Sequence, residues 1–366
     1  MNLVYISNNS NSVDGGPNWS VPYSVKAQQK YDNVLWINLS VGTFQRHWGE
    51  VEAYHNISDY GRRISLKLLP APFCNPDFVV FEGFYFFEHV RFAKELKKNN
   101  VPYIIVPRGS LTKNAFHNGS IIKFIKKKLA HLLFFNSYIY NAKCIQYLTL
   151  TERSESDKVL CVPSFILPNG INLPSKIKDN FSKGIKGVFI GRQDINQKGL
   201  DILFAAIEKL KKELRKASFT LDIYGPPRYD YKRVTELINE MGIHDIVRNH
   251  EVGISGEDKE NVLLSSDVFF LTSRFEGHPM GLIEALSYGV PVLITQGANM
   301  RENVDNYYAG WTCDTTIEGV TKALEHMLAD KNNFQEIGSN ARRLASMYDW
   351  DLLAQQFHNI LMQQMH

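Results

Sequence analysis

The sequence predicts an α/β protein built from two doubly wound parallel-sheet domains that face each other across a cleft. Its length of 366 residues suggests two domains. Short apolar segments alternate with amphipathic helical segments in both halves, which is typical of parallel strands connected by helices. The segment between the halves lacks any sustained periodicity and is interpreted as a linker. It contains Pro163, Pro168, Gly170, Pro174 and Gly184.

Nine short apolar segments are predicted strands. In chain order they are Leu3–Ser7, Val34–Leu39, Phe78–Phe81, Tyr103–Val106, Cys144–Leu148, Gly187–Ile190, Thr220–Tyr224, Val268–Thr272 and Pro291–Ile294. In the second half, the segments near these strands have apolar residues at spacings of three and four, which predicts helices. These helices are Gly199–Leu214, Tyr231–Met241, Lys259–Ser266 and Met280–Tyr288.

This pattern sets the expected domain boundaries. The first domain is predicted over residues 1–165, the linker over 166–186 and the second domain over 187–345. Residues 346–366 include a final helix from Trp350 to Met365. Asp349 or Asp351 would cap this helix. The same D-x-D sequence matches a divalent-metal motif, but no phosphate-binding loop is nearby in sequence, so we favour capping.

Composition excludes several classes of protein. The formal charge is only +3, which is too balanced for a protein that neutralises nucleic-acid phosphates over a large face. Residues 1–165 have 19 basic and 12 acidic side chains, whereas residues 166–366 have 22 and 26.

Neither a signal peptide nor a clean membrane span is recognised, so we expect a cytoplasmic protein. Four widely spaced cysteines predict buried free thiols in a reducing compartment. They are Cys74, Cys144, Cys161 and Cys313.

The sequence EGHPMGLIE follows the predicted strand Val268–Thr272 and begins a helix. Gly277 and Gly281 allow close approach of a ligand to the backbone, and Pro279 suits the first helical turn. A helix that begins at the carboxyl edge of a parallel sheet favours a phosphate. Glu276 and Glu284 suit hydroxyls, because ionised carboxylates only accept hydrogen bonds. A diphosphate between two such carboxylates describes a nucleotide sugar; the alternative is a capped helix with two solvated glutamates.

The sequence GRQDINQKG follows the predicted strand Gly187–Ile190 and begins at Gly191. Arg192 and Lys198 flank this loop, and a planar guanidinium with a mobile ammonium is a suitable pair for a diphosphate. Their contacts would strengthen as negative charge develops on a diphosphate leaving group. The alternative is ordinary surface charge near a turn.

Together the two motifs resemble those of the retaining glycosyltransferases of the GT4 family (glycosyl transferases group 1), which have the GT-B fold with two Rossmann-like domains. The family pattern is a G-R/K-x(n)-K-G loop and an E-x7-E motif. The resemblance is strong over about residues 187–300. It extends more loosely to Pro168–Ile171, to Tyr224–Pro226 and to the final helix, which in the family crosses back to the first domain.

The resemblance implies a role for each motif residue. Arg192 and Lys198 hold the donor diphosphate, Glu284 accepts from the ribose hydroxyls, and Glu276 accepts from the hydroxyls of the transferred sugar. No divalent metal is implied. The implied catalytic residues are Arg192, Lys198 and Glu276. The implied donor-binding residues are Gly15, Gly16, Arg108, Gly191, Gly277, His278, Pro279, Met280, Gly281, Leu282 and Glu284.

The first domain carries weaker signals. The resemblance places Gly15 and Gly16 in a loop near the donor phosphates and the acceptor, although a plain surface turn fits equally well. Many family members have a His facing the sugar at the position of Arg108. An arginine cannot act as a general base, so Arg108 would serve the diphosphate or an anionic acceptor. We expect the nearby His117 to be solvated.

Residues 121–129, IIKFIKKKL, combine basic and apolar side chains at helical spacing. They would lie on an anionic membrane or form a domain helix with a solvated lysine face. Lipid-linked acceptors are common in the family, and this favours contact of residues 121–129 with a membrane. Such contact would place the enzyme at the inner face of the membrane.

The function that the resemblance implies is retaining transfer of a sugar from a UDP- or GDP-linked donor to a glycan or lipid-linked acceptor, in surface polysaccharide biosynthesis. The nucleotide sugar is a co-substrate, and no other cofactor and no nucleic-acid partner is expected. Two alternatives remain open: a sugar-nucleotide epimerase of the same fold, and an inactive nucleotide-sugar-binding protein.

Overall fold

The computed structural model describes residues 1–10, 16–40, 49–61, 63–112, 131–156, 162–228 and 230–365. By its pattern of contacts the chain divides into two compact units. The first unit is Met1–Gly170 together with Trp350–His366, and the second unit is Ile171–Asp349. The last helix therefore packs with the first unit.

The first unit is built on a sheet of seven parallel strands in the order β3-β2-β1-β4-β5-β6-β7. The strands are β1 (Asn2–Ser7), β2 (Asn33–Asn38), β3 (Tyr54–Asn56), β4 (Phe78–Glu82), β5 (Tyr103–Val106), β6 (Cys144–Tyr147) and β7 (Ser164–Ile166). Its α-helices are α1 (Gly16–Gln28), α2 (Phe87–Lys98), α3 (Asn136–Tyr140), α4 (Leu150–Ser156) and α14 (Trp350–Gln364). A π-helix spans His131–Phe135, and short 3-10 helices span Ile57–Tyr60 and Leu66–Leu68.

Alternation of side chains along the strands gives this sheet two buried faces. Val4 and Ile6 of β1 belong to the core that contains the buried side of α2. Leu3 and Tyr5 belong to the opposite core, which contains buried residues of α1 and α14. Because successive side chains of a strand point to opposite faces, a strand buried on both sides is apolar throughout.

The second unit is built on a sheet of six parallel strands in the order β10-β9-β8-β11-β12-β13. The strands are β8 (Ile185–Ile190), β9 (Phe219–Tyr224), β10 (Val247–Asn249), β11 (Val268–Leu271), β12 (Val292–Thr295) and β13 (Gly310–Cys313). The helices are α5 (Ile195–Lys198), α6 (Leu200–Lys209), α7 (Lys211–Lys216), α8 (Tyr231–Glu240), α9 (Gly256–Ser265), α10 (Met280–Ser287), α11 (Arg301–Tyr307), α12 (Ile317–Ala329) and α13 (Phe334–Ser346), with 3-10 helices at Gln296–Ala298 and Asp330–Asn333.

Each of the nine predicted strands is present, with ends shifted by no more than two residues. The four strands that the sequence did not predict, β3, β7, β10 and β13, are the outermost strands of the two sheets. They have only three or four residues, and several of their side chains are partly exposed. Short edge strands lack the continuous apolar run that marks a strand buried on both faces.

Two predictions from the sequence, one of a helix and one of a buried cysteine, were wrong. The predicted helix Gly199–Leu214 is divided at Leu210, whose φ of −101° and ψ of 17° leave the helical range, so α6 and α7 are separate. Leu214 is nevertheless buried, which explains why the apolar spacing continued across the break. Cys74 is exposed, whereas Cys144 and Cys313 are buried free thiols as expected. Cys161 lies outside the described residues.

At the end of the chain, the Asp351 carboxylate accepts hydrogen bonds from Lys30 Nζ at 2.6 and 2.5 Å, which joins α14 to the segment after α1. Within the described ranges, none of the helices combines the length and the apolar character needed to span a bilayer.

His89 of α2 gives the first unit a defined pH dependence. Its ring is fully buried against Phe81 and Phe86, at centroid distances of 4.8 and 4.9 Å, and neither ring nitrogen has a hydrogen-bond partner among the described residues. Burial lowers the pKa of His89 to about 3. The unfolded chain therefore binds a proton near pH 6.5 that the folded chain does not, and stability falls as pH drops below that value.

We expect the wild type to lose about 2 kcal/mol of unfolding free energy between pH 7 and pH 5 through this residue, at about 1.4 kcal/mol per pH unit below 6.5. His89→Leu should remove that loss, as measured by urea unfolding at both pH values. His326→Leu, on an exposed helix position, is the matched control. An equal pH dependence in wild type and His89→Leu would contradict the assignment.

Candidate functional site

The topology of the second sheet brings the two motif loops together. From β8 the chain adds β9 and β10 on one side, and β11 then returns to pair with β8 on its other side. Connections that leave two neighbouring parallel strands in opposite directions open a crevice at their carboxyl ends, which is where such sheets bind ligands. The loops that begin at Gly191 and at Thr272 both start at this edge.

The loop after β8 is held by its own side chains and by Thr272. The Asp194 carboxylate accepts from the Gln197 amide at 2.8 Å and so caps α5. Thr272 Oγ1 donates to the carbonyl oxygens of Lys198 and Gly199, each at 3.1 Å. Gly199 has a φ of +63°, and a Cβ there would lie 2.1 Å from the Thr272 carbonyl oxygen. The two loops are therefore in backbone contact at a position where only glycine fits.

Lys198 and Glu276 meet across these loops. Lys198 Nζ lies 2.6 Å from Glu276 Oε1, and the two side chains are only 12% and 10% exposed. Ser273 Oγ donates to the same carboxylate oxygen. Asn299 Nδ2 donates to the Glu276 backbone carbonyl and fixes the loop from the other side. Two residues that the sequence placed in one site are thus in direct contact.

Helix α10 begins beside the end of β8. A Cβ at Gly281 would lie 3.6 Å from the Ile190 carbonyl oxygen, which measures how closely the first turn approaches that strand. Pro279 is the residue before the helix rather than within its first turn, and no side chain caps this end. The His278 ring lies 5.8 Å from the ring of Tyr348, and Leu282 is buried. This electropositive helix end therefore lies at the same edge of the sheet as the end of β8.

The remaining motif residues lie close by. Glu284, in the middle of α10, forms an ion pair with Lys259 of α9. Arg192 Nη2 donates to Gln197 Oε1 at 3.0 Å, within its own loop. A Cβ at Gly277 would meet no atom within 4 Å, whereas one at Gly191 would lie 3.3 Å from the Phe189 ring. Gly191 therefore packs closely and Gly277 does not.

Sequence reasoning missed Arg274. Its guanidinium donates to both carboxylate oxygens of Asp201, at 2.8 and 2.7 Å, and to the Asn196 carbonyl oxygen at 2.8 Å. Burial alone would raise the pKa of Asp201, but the hydrogen bonds and charge of Arg274 hold that pKa below its ordinary value. Arg274 thus joins the loop after β11 to α5 and α6. Arg274 could have been recognised in the sequence because it lies two residues before Glu276. A partly buried arginine in such a loop needs an anionic partner.

Arg108, in the first unit, lies in a buried polar network. Its Nε donates to Glu82 at 2.7 Å, and its Nη1 donates to Ser20 Oγ and Asn169 Oδ1, each at 2.8 Å. Its φ is +52°, an unusual backbone conformation for a non-glycine residue. The next amide, that of Gly109, donates to the buried Glu152 carboxylate. The structure thus gives Arg108 a tightly defined orientation, and its predicted contact with donor or acceptor stays a prediction.

Other sequence predictions in the first unit are only partly described. Gly16 is the first residue of α1, and a Cβ there would meet nothing within 4 Å. Gly15, His117 and residues 121–129 lie outside the described residues. Over the ranges that the structure describes, no group of three or more His, Cys, Asp or Glu side chains could hold a metal ion.

Comparison with known proteins finds a family match within the second unit. Residues 175–344 match the family model described as Glycosyl transferases group 1, which confirms the resemblance carried by the two motifs. The MMP alpha-(1->4)-mannosyltransferase of Mycolicibacterium hassiacum is 27% identical over 172 residues, covering 46% of this chain and 41% of that protein. The chain spans about half the length of the curated relatives that it matches.

Solved structures match nearly the whole chain. The sucrose-phosphate synthase of Thermosynechococcus elongatus has a TM-score of 0.73 at 17% identity and covers 100% of this chain and 99% of its own. Alr3699/HepE of Anabaena, in complex with UDP and glucose, has a TM-score of 0.69 at 17% identity and covers 99% of this chain and 100% of its own. These likenesses confirm the predicted fold class, two parallel Rossmann-like sheets as in GT-B proteins.

Gly199→Ala tests the contact between the two loops. We expect it to lower the unfolding free energy by about 3 kcal/mol or more, since left-handed backbone alone costs an alanine about 1–2 kcal/mol and its Cβ would also clash with the Thr272 carbonyl. Gly242→Ala is the matched control, because its φ is +61° but nothing lies within 4 Å of the added Cβ. Urea unfolding measures both, and equal losses would refute the contact.

Proposed function

We propose that this chain is a retaining glycosyltransferase of the GT4 type. It moves a sugar from a UDP- or GDP-linked donor to a glycan or lipid-linked acceptor. The observation that best supports this proposal is the ion pair between Lys198 and Glu276. It lies at the carboxyl edge of β8 and β11, beside the start of α10. A cation, a hydroxyl-binding carboxylate and an electropositive helix end are the groups that a sugar joined to a diphosphate requires.

The diphosphate is bound by Arg192, Lys198 and the first amides of α10. Hydrogen bonds to charged groups contribute about 1.5–3 kcal/mol each, and they strengthen as the diphosphate gains charge in the transition state. These groups take the role that a divalent cation has in other sugar transferases, and the proposed enzyme is metal-independent on that basis. What supports this assignment is the placement of both loops at one sheet edge.

Glu276 and Glu284 bind hydroxyls at the two ends of the donor. Glu276 faces the transferred sugar, because it is joined to the same lysine that binds the diphosphate. Glu284 lies further along α10 and binds the ribose. Ser273 and Lys198 both contact Glu276 Oε1, so they fix the carboxylate that receives the sugar.

The proposed reaction proceeds on one face of the sugar. The bond from the anomeric carbon to the diphosphate oxygen breaks, and a bond to the acceptor oxygen forms on the same side. The acceptor's proton passes to the departing diphosphate. This route, which the family resemblance implies, uses no nucleophile from the enzyme and retains the anomeric configuration.

We expect Arg192→Ala and Glu284→Ala to lower kcat/KM for transfer by about 100-fold or more, since each removes a charged contact to the donor. Arg215→Ala and Glu240→Ala are the controls, because those residues form exposed ion pairs elsewhere in the second unit. UDP- and GDP-sugars are first screened for thermal stabilisation. Transfer is then measured with an acceptor panel, and the product anomer is read by NMR.

Near-normal turnover in either variant would contradict the assigned roles, and an inverted product would contradict retention. Isomerised donor in the absence of acceptor would favour the epimerase alternative instead. Binding without transfer would favour an inactive binding protein.

The acceptor and location are proposed from the sequence. The Pro107-Arg108-Gly109 sequence resembles that of bacterial surface-polysaccharide transferases. Residues 121–129 contain four lysines and no acidic residue, which supports contact with the inner face of an anionic membrane. We expect the protein to float with phosphatidylglycerol vesicles and not with phosphatidylcholine vesicles. Replacement of Lys126, Lys127 and Lys128 by Gln should abolish flotation, and full retention would refute this contact.

A further inference from the structure

Lys259 contacts the carboxylate that the proposed function assigns to the donor ribose. Its Nζ donates to Glu284 Oε2, and the two side chains are 23% and 29% exposed. Lys259 belongs to α9, which precedes β11, and Glu284 belongs to α10, which follows it. The pair therefore links two helices and remains accessible to a ligand.

A second contact fixes the register of these helices. Glu260, the next residue of α9, accepts a hydrogen bond from the hydroxyl of Tyr288 at 3.2 Å. Tyr288 lies one turn after Glu284. Glu260 also forms an ion pair with Lys176 at 2.6 Å. Lys259 and Glu260, which are consecutive in α9, thus contact Glu284 and Tyr288, which lie one turn apart. Lys259 therefore approaches Glu284 from a defined direction.

The pairing leaves Glu284 able to bind hydroxyls. An ionised carboxylate has two oxygens with about four acceptor positions, and Lys259 uses one of them on Oε2. Among the described residues, no side chain or amide donates to Oε1. A long glutamate side chain loses rotamer freedom when it is ordered, and here Lys259 imposes that order before any hydroxyl arrives.

We propose that Lys259 is a positioning residue that fixes Glu284 for the ribose hydroxyls and so makes the site selective for ribonucleotides over deoxyribonucleotides. The inference rests on the proposed function, in which Glu284 binds the donor ribose. A lysine that contacted the phosphates or the base itself would instead weaken ribonucleotide and deoxyribonucleotide equally. A lysine that only joined two helices would change stability and leave both affinities alone.

The experiment measures this selectivity by calorimetry. UDP, 2′-deoxy-UDP and 3′-deoxy-UDP are titrated into the full chain, and the three guanine counterparts are used if GDP is the nucleotide that binds. We expect the wild type to bind the ribonucleotide about 10-fold to 100-fold more tightly than at least one deoxy form. Lys259→Met should reduce this ratio to about threefold or less, mainly by weakening the ribonucleotide. Lys259→Arg should retain most of it, because a cation is still present.

Lys176→Met is the matched control, since it removes a lysine from the adjacent carboxylate, Glu260, and should leave the ratio unchanged. Lys259→Gln is a second neutral variant if Lys259→Met does not fold. An unchanged ratio in folded Lys259→Met or Lys259→Gln, or an equal loss for all three nucleotides, would overturn the inference while the proposed function stands. If the wild type binds neither UDP nor GDP, the proposed function fails and the inference fails with it.

Discussion

The parallel pairing of β8 with β11 is the constraint on which the candidate site depends. Val268 pairs with Gly187 and Phe269 pairs with Val188, although about 80 residues separate the two strands. This register brings the ends of both strands to one edge, where Lys198 reaches Glu276. A one-residue shift would turn Phe269 and Phe270 to the opposite faces of the sheet, and because both faces are buried it would disrupt the packing on each of them. The hydrophobic core therefore fixes the positions of the charged groups.

Three carboxylates in and beside the site are each paired with a cation. Glu276 is joined to Lys198, Glu284 to Lys259 and Asp201 to Arg274. A partly buried carboxylate without a cation would be costly, so these pairs allow acidic groups to lie near a proposed diphosphate site. Each cation also restricts the orientation of its carboxylate. Preorganisation of this kind lowers the ordering cost when a polyhydroxylated ligand binds.

The sequence predicted the interior of the fold better than its periphery. β11 is apolar throughout and β8 is apolar apart from Lys186, because helices cover both faces of the sheet, and such apolar runs can be recognised in the sequence. β3 and β10 have three residues each at a sheet edge, and their order comes from pairing with a neighbour. The motif residues were found because glycines and charges stand at strand ends. Lys259 was missed because only the packing of α9 places it beside Glu284.

Arg108 of the first unit stands at a position where the resemblance would place a histidine, and this difference bears on the proposed chemistry. The resemblance places a histidine at this position in many relatives, and a histidine can both donate and accept a proton. An arginine only donates, and the partners of this one, Glu82, Ser20 and Asn169, accept from its guanidinium. In the proposed mechanism, therefore, a group other than Arg108 receives the acceptor's proton. That group is the departing diphosphate, which Arg192 and Lys198 stabilise as its charge develops.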